Sequence, residues 1–331
     1  MRSQVAIATS IITIPVLFAA ARPSVTGRVT DSLGNPVAGA TVILYQAGVK
    51  KGYSTYCPSC YVDCGKRATT DRGGSFKIEN VDPDLWFDLL VVRDGYTAAV
   101  VKNVDPSIGP AETAILVPRA SVDNPSRVVR GRVVDSLRAP MQAAVVRPIG
   151  VATAVGGSTC GTIDGLEPVA ATNSRGEFEL AYDKAATGVM LQVEARGMAT
   201  KLISLPTGLE RKTITVSDGA VIRGRLVNHG KPVPGAEIGL IAQDRGGYGA
   251  NLKIIGDPYN EVRIGTQPDG SFVITNVPVP VKWYLYGKME SIASLGATDA
   301  VPAVVNRDGE DVDVGDIENS LRSSRSWKDN A

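Results

Sequence analysis

The chain has 331 residues, enough for about two or three domains of ordinary size. Hydrophobic residues make up 44%, which excludes a disordered chain, and 35 Lys+Arg against 34 Asp+Glu leave no charge excess to steer it to nucleic acid or an anionic membrane. Glycine (35) and proline (20) suit many short strands joined by tight turns.

In chain order, the first element reads as an export signal over residues 1–21. Arg2 and the terminal amine give a positive start, and Val5 to Ala21 then run without charge into Leu17-Phe-Ala-Ala-Ala21. Small residues at the end of such a run are what a signal peptidase accepts, so cleavage is expected near Ala20 or Ala21. The run has about 17 residues, the lower limit for crossing a bilayer, and no later segment has the length or apolarity of a span. The mature protein is therefore expected to be exported (periplasmic, cell-surface or extracellular), with no membrane span after cleavage.

Three stretches then share a beginning: Val25-Thr-Gly-Arg-Val-Thr-Asp31, Val129-Arg-Gly-Arg-Val-Val-Asp135 and Ile222-Arg-Gly-Arg-Leu-Val-Asn228. Each leads through a turn to a proline (Pro36, Pro140, Pro232) and then to small residues that open an apolar strand, as in Ala40-Thr-Val-Ile-Leu-Tyr45. A second landmark, Thr-x(3)-Gly-x-Phe, recurs at Thr70 to Phe76, Thr172 to Phe178 and Thr266 to Phe272. From the strand glycine (Gly27, Gly131, Gly224) to the threonine is 43, 41 and 42 residues. Two independent landmarks in one register three times define a repeat.

The repeat reads as β. Val25 to Thr30 alternate apolar or small with polar residues, Phe87-Asp-Leu-Leu-Val-Val92 and Val189-Met-Leu-Gln-Val-Glu194 supply further strands, and Arg72-Gly-Gly74 and Asp269-Gly270 mark hairpins. Phe76, Phe178 and Phe272 are expected to anchor three cores, opposite Val29, Val133 and Leu226. The fold class predicted is all-β: three tandem seven-stranded Ig-like or prealbumin-like β-sandwich modules at 24–119, 127–218 and 220–318, then a polar tail over 319–331. The linkers around Ala120 to Ser126 and Val216 to Gly219 are short, which predicts that the modules form a semi-rigid rod.

The pattern Gly-Arg-Val…Asp…Gly-Asn-Pro-Val-Ala-Gly-Ala-Thr-Val, followed by Thr-Thr-Asp…Gly-Ser-Phe, resembles the carboxypeptidase regulatory-like domain family. The resemblance runs over Ser24 to Arg119, Val128 to Asp218 and Ala220 to Glu318. It implies a prealbumin-like sandwich in an accessory role and no reaction, because the peptidase activity in the family's name belongs to another domain. The second copy has Arg138-Ala139-Pro140 where a glycine is expected, which predicts a different first turn there.

No catalytic residues, metal site or cofactor are expected. His229 is the one histidine and sits in a predicted turn, whereas zinc peptidases draw on two or three and serine triads need one paired with an acid. Between the second strand and the threonine landmark each copy carries a stretch of about 20 residues that varies while the framework repeats, and variable loops on a rigid scaffold are where binding function resides. Tyr53, Tyr56, Tyr61, Tyr248 and Tyr259 lie in these stretches and are the ligand-binding candidates. Trp86, Trp283 and Tyr284 flank or begin strands, where packing explains them.

Cys57, Cys60 and Cys64 lie in the first variable loop and Cys160 in the second. In an exported chain the expectation is one local disulfide, Cys60–Cys64, because bridging two loops a domain apart needs Cα atoms within about 7 Å. The function expected is an exported non-catalytic scaffold or interaction protein presenting variable loops, with an unidentified protein or polysaccharide at the cell surface as partner. The alternative is a carbohydrate-binding protein.

Overall fold

The computed structural model describes residues 22–52, 61–119, 121–153, 158–160, 163–242, 264–287, 289–292 and 297–320. Residues 1–21, expected from the sequence to be an export signal, and the tail from 321 lie outside them. The protein is an all-β sandwich protein, with one four-residue helix, α1 (Met289–Ile292), among the described residues.

The first seven strands are β1 (Val25–Asp31), β2 (Thr41–Val49), β3 (Arg67–Thr69), β4 (Ser75–Ile78), β5 (Leu85–Val92), β6 (Ala99–Val104) and β7 (Ala114–Leu116). They form two sheets, ordered β4-β1-β7 and β3-β2-β5-β6. β1 runs antiparallel to β4 and parallel to β7. Alternate residues of both sheets, among them Val25, Val29, Leu44, Phe76, Phe87, Leu89 and Leu116, point inward and form one buried core.

The next eight are β8 (Val128–Val134), β9 (Val145–Ala152), β10 (Ser158–Cys160), β11 (Ala170–Ala171), β12 (Glu177–Ala181), β13 (Gly188–Glu194), β14 (Lys201–Pro206) and β15 (Arg211–Thr215). Their sheets are β12-β8-β15 and β10-β9-β13-β14, with β11 also on β9. The last eight are β16 (Ala220–Asn228), β17 (Lys231–Pro232), β18 (Ile238–Ala242), β19 (Ser271–Val277), β20 (Val281–Gly287), β21 (Ala297–Thr298), β22 (Val301–Val305) and β23 (Asp311–Ser320). They form β17-β16-β23-β21, with β19 on β16, and β18-β20-β22. Each of these two sheet pairs encloses its own buried cluster, around Phe178 and Leu191 in one and Phe272 and Leu285 in the other.

The two sequence landmarks keep their spacing because they touch. Gly27 pairs with Phe76, Gly131 with Phe178 and Gly224 with Phe272 across the ladder. A Cβ on those glycines would stand 2.7, 2.3 and 2.8 Å from the phenylalanine ring, so each ring lies across a residue that must lack a side chain. The landmark threonine works equally locally. Thr70 Oγ1 accepts from Ala40 N at 2.9 Å and donates to Val37 O at 2.7 Å. Thr172 does the same between Ala144 N and Met141 O, and Thr266 between Ala236 N and Val233 O. All three threonines are buried, and a buried hydroxyl with both roles used carries no desolvation deficit.

The first turn of the second sheet pair is a correction to the sequence reading. Asp31 Oδ1 accepts Leu33 N and Asn35 N at 2.9 Å, and Asp135 Oδ1 accepts Leu137 N and Ala139 N at 2.9 and 2.8 Å. Arg138 takes φ 69° where Gly34 has φ 83°. The aspartate's bonds hold one turn in both copies, and the arginine adopts a left-handed conformation that glycine would occupy without strain.

Candidate functional site

Of the sequence-nominated tyrosines, Tyr53, Tyr56, Tyr248 and Tyr259 lie outside the described residues, as do Cys57 and Cys60. Tyr61 is buried in the first core, so it packs instead of presenting its ring to a ligand. Cys64 is buried beside it, and burial pushes its thiol up to about 12, which leaves no thiolate for nucleophilic or redox work at neutral pH. The Cys60–Cys64 pairing falls partly outside the described residues. His229 is exposed in its turn at φ 51°. Trp283 is core and donates from Nε1 to Pro278 O at 3.2 Å, whereas Trp86 lies half-buried across Gly48.

The base of the first variable loop is held electrostatically. Asp63 is buried at 2% exposure, and its carboxylate meets Arg22 Nη2 at 2.8 Å and Lys66 Nζ at 2.6 Å. Asp82 N donates to the same carboxylate at 2.8 Å. The segment that begins at Arg22 is thereby tied to Asp63 and Lys66 at the base of that loop.

The surface that sequence reasoning missed is the junction of the first and second sheet pairs. In β2, Val42 and Leu44 face the first core, so Ile43 and Tyr45 stand on the outer face with Leu90 of β5. These three are buried too, against Val145 of β9 and Val169. The outer faces of two sheets, β3-β2-β5-β6 and β10-β9-β13-β14, thus pack on one another. The signal was present in Val42 to Tyr45 and Leu89 to Val92, which are apolar without alternation, the mark of a strand covered on both faces.

A polar cluster runs through the middle of this junction. The Arg147 guanidinium donates from Nη2 to Tyr45 Oη and sits 6.0 Å from the centre of its ring. Gln46 Nε2 donates to Glu194 Oε2 at 2.8 Å and Gln192 Nε2 to Glu194 Oε1 at 2.7 Å. Asp88, buried, accepts Asn103 N at 3.0 Å. Burial holds the Asp88 carboxyl above the usual carboxylate range, against the Asn103 hydrogen bond and the nearby Lys102. Burial and then the charge of Glu194 push the Tyr45 phenol far up, so it stays protonated.

A second clasp lies at the rim. Arg119 grips Glu167 through Nε at 3.0 Å and Nη2 at 3.1 Å, while Thr97 Oγ1 and Ala181 N also donate to that carboxylate. Two clefts flank the junction. One, of about 410 Å³, is polar and edged by Arg93, Asp94, Asn173, Ser174 and Arg211. The other, of about 620 Å³, is largely apolar, with Ala99, Val100, Ile115, Val117, Leu166 and Val169 on its walls. Ile115 and Val117 are more than half exposed there. Among the described residues no helix is long and apolar enough to cross a membrane, and no group of three His, Cys, Asp or Glu is placed to hold a metal.

Residues 24–117 match the family model of the carboxypeptidase regulatory-like domain. No curated protein matches the chain. Among solved structures, the chain is similar to the Bacillus anthracis TIE protein, at 12% identity and a TM-score of 0.23, over 91% of this chain and 51% of that one. It spans about half of that protein's length. It is also similar to BcpA, the major pilin subunit of Bacillus cereus, at 12% identity and TM-score 0.22, over 90% of this chain and 100% of that one. A streptococcal ancillary pilin gives 12% identity and TM-score 0.28, over 91% and 99%.

Proposed function

We propose that, with its first sheet pair a carboxypeptidase regulatory-like domain, the chain is an exported, non-catalytic scaffold of three such domains, at 24–119, 127–218 and 220–318. The reading rests above all on one observation. The glycine–phenylalanine contact and the threonine pin recur three times with the same atoms, while the stretches between the second strand and the threonine differ in each copy. Such a division between constant framework and variable segment is the design of a binding scaffold, and tandem copies raise avidity when each binds weakly. The matching family is an accessory domain, which supports a role without turnover.

The test is a binding panel with the mature chain, using surface-protein fractions and insoluble polysaccharides in parallel. Retention on a protein fraction that is lost when the first variable stretch is exchanged for the third supports the scaffold reading. Retention on a polysaccharide, weakened by Tyr56→Ala or Tyr248→Ala, would replace it with the carbohydrate-binding alternative. N-terminal sequencing of the exported chain checks the signal, with Ala21 or Arg22 expected as first residue.

A further inference from the structure

The larger of the two clefts beside the first junction, about 620 Å³, opens where two strands part company. β6 and β7 start from one corner. There Tyr96 pairs with Pro118, Thr97 N donates to Val117 O at 2.9 Å and Arg119 N donates to Gly95 O at 2.8 Å. Beyond the corner β6 runs on as the edge of β3-β2-β5-β6, and β7 is the edge of β4-β1-β7. Among the described residues β6 pairs with β5 alone and β7 with β1 alone. In such ladders every second residue turns its N–H and C=O away from the paired strand, so each edge carries a row of unpaired backbone groups. Ala99, Val100 and Lys102 of β6 and Ile115 of β7 line the cleft, and residues 166–169 of the second sheet pair close its other side.

We propose that this cleft takes an extended segment of a partner protein, which adds a strand along the free edge of β6 and lays alternate apolar side chains against Ile115, Val117 and residues 166–169. The proposal deepens the scaffold reading and rests on it, since residues 166–169 end the variable stretch of the second copy. The occupant follows from the groups on the walls. Apolar side chains alone would suit a lipid. Unpaired edge groups in an apolar cleft call for an occupant with its own N–H and C=O at strand spacing, and an extended peptide supplies both. The groove is also preformed, because Val100 and Val169 are already packed in the junction, so little ordering is left to oppose binding. Charge adds one specification. At the corner, Glu167 already takes four donors, two from Arg119 and one each from Thr97 Oγ1 and Ala181 N. At the far end Lys102 is exposed and makes no ion pair among the described residues, while Asp88, whose charge it meets, is buried in the junction. The segment therefore carries an acidic residue at the end that reaches Lys102.

Panning a phage-displayed library of random nine-residue peptides on the mature chain is the test, with the Ile115→Asp chain for counter-selection. Expected are peptides that alternate apolar and polar residues and carry Asp or Glu toward one end. Their Kd should rise at least about tenfold with Ile115→Asp or Val117→Asp, since each sets a charge against an apolar side chain. Lys102→Glu should raise it about two- to fivefold, the size of an exposed ion pair. All three positions are exposed, and unchanged melting temperatures separate lost binding from lost fold. N-methylation of a selected peptide, one amide at a time, reads the strand pairing itself. Methyl groups on alternate amides should abolish binding and those between should be tolerated. A library that enriches nothing over the counter-selected chain overturns the proposal, as does a methylation profile without alternation. Uptake of dodecanoate in place of any peptide, or self-association that Ile115→Asp abolishes, overturns it too. Peptides lost on exchange of the first variable stretch but indifferent to Ile115→Asp would overturn this site and leave the scaffold reading standing.

Discussion

The two junctions between neighbouring sheet pairs are built on different principles, although both linkers are short. Between the first and second pairs, whole sheet faces meet through Ile43, Tyr45, Leu90, Val145 and Val169, with the Tyr45–Arg147 and Gln46–Glu194 bonds running between them. Between the second and third, hydrogen bonds joining side chains to backbone groups carry the contact. Asn276 Nδ2 donates to Gly197 O at 2.7 Å and Asp218 O at 2.9 Å, and Gly219 N donates to Asp308 Oδ1 at 3.1 Å. Gly219 sits so close to Val277 O and Ala199 that a Cβ there would clash at 2.6 and 2.8 Å. Linker length is thus a poor guide to coupling. What couples two units is apolar area withdrawn from water, and among the described residues it is the first junction that withdraws a sheet face.

The largest expected effect follows from that contrast. Leu90→Ala removes a fully buried side chain from the first junction and should destabilise the first two sheet pairs by about 2–5 kcal/mol. Differential scanning calorimetry should show those two pairs melting in one transition in the parent chain and the third melting by itself. Leu90→Ala should lower the shared transition and leave the other in place. A third transition that moved equally would refute independence at the second junction.

Asn276→Ala is expected to cost less, about 1 kcal/mol, because it removes hydrogen bonds from a small contact without emptying a core. Hydrogen exchange should rise around Gly197 and Asp218 and stay unchanged across β2 and β5. A comparable gain in exchange at the first junction would show the two contacts to be coupled.

Arg138→Gly addresses the second copy within the first junction's own partner. Relieving a left-handed arginine should stabilise that pair by about 0.5–1 kcal/mol, read as a rise in the midpoint of urea unfolding with an unchanged slope. Gly34 occupies the same turn at φ 83°, so the reverse change, Gly34→Arg, should cost a similar amount.

The smallest effect has the most telling sign. Because burial raises the Asp88 carboxyl in the folded protein, the folded chain binds the proton before the unfolded chain does as pH falls. The contribution of Asp88 to stability therefore improves on acidification from neutral through its raised folded value, down to the ordinary carboxylate value. Asp31 runs the other way. Its carboxyl is held low by the Asn35 side-chain bond against slight burial, with further help from the Asn35 and Leu33 backbone N–H groups, so its contribution is lost as pH falls. Asp88→Asn should accordingly stabilise the first two pairs at neutral pH, with the gain vanishing below about pH 4. Parallel urea titrations at the two pH values measure it, and a gain that grew in acid would show the carboxylate to be stabilised by its site.

Much of the framework was legible in the residues. Glycine opposite phenylalanine, threonine beneath the alanine N–H and the proline turn are contacts made within each copy, at spacings that the sequence displays three times. The same regularity made Arg138 look like a break in the pattern, when the aspartate two residues ahead of its neighbour, Asp135, holds the turn without glycine. Tyr61 was misjudged for a related reason. Its place in a variable stretch suggested exposure, but Cys64 N donates to Tyr61 O and the tyrosine packs into the first core.

What the sequence by itself determined is therefore the sandwich: alternation, turn chemistry and a repeated register are local properties, met by contacts within one sheet pair. Which outer faces are covered was decided only in three dimensions. The unbroken apolar run from Val42 to Tyr45 says that something must shield Tyr45, yet its partner, Arg147, lies 102 residues away in a strand whose own pattern names no mate. Hydrophobic burial is non-directional and carries no address, so the choice of partner rests on shape and on a few paired charges that meet only once both sheets have formed.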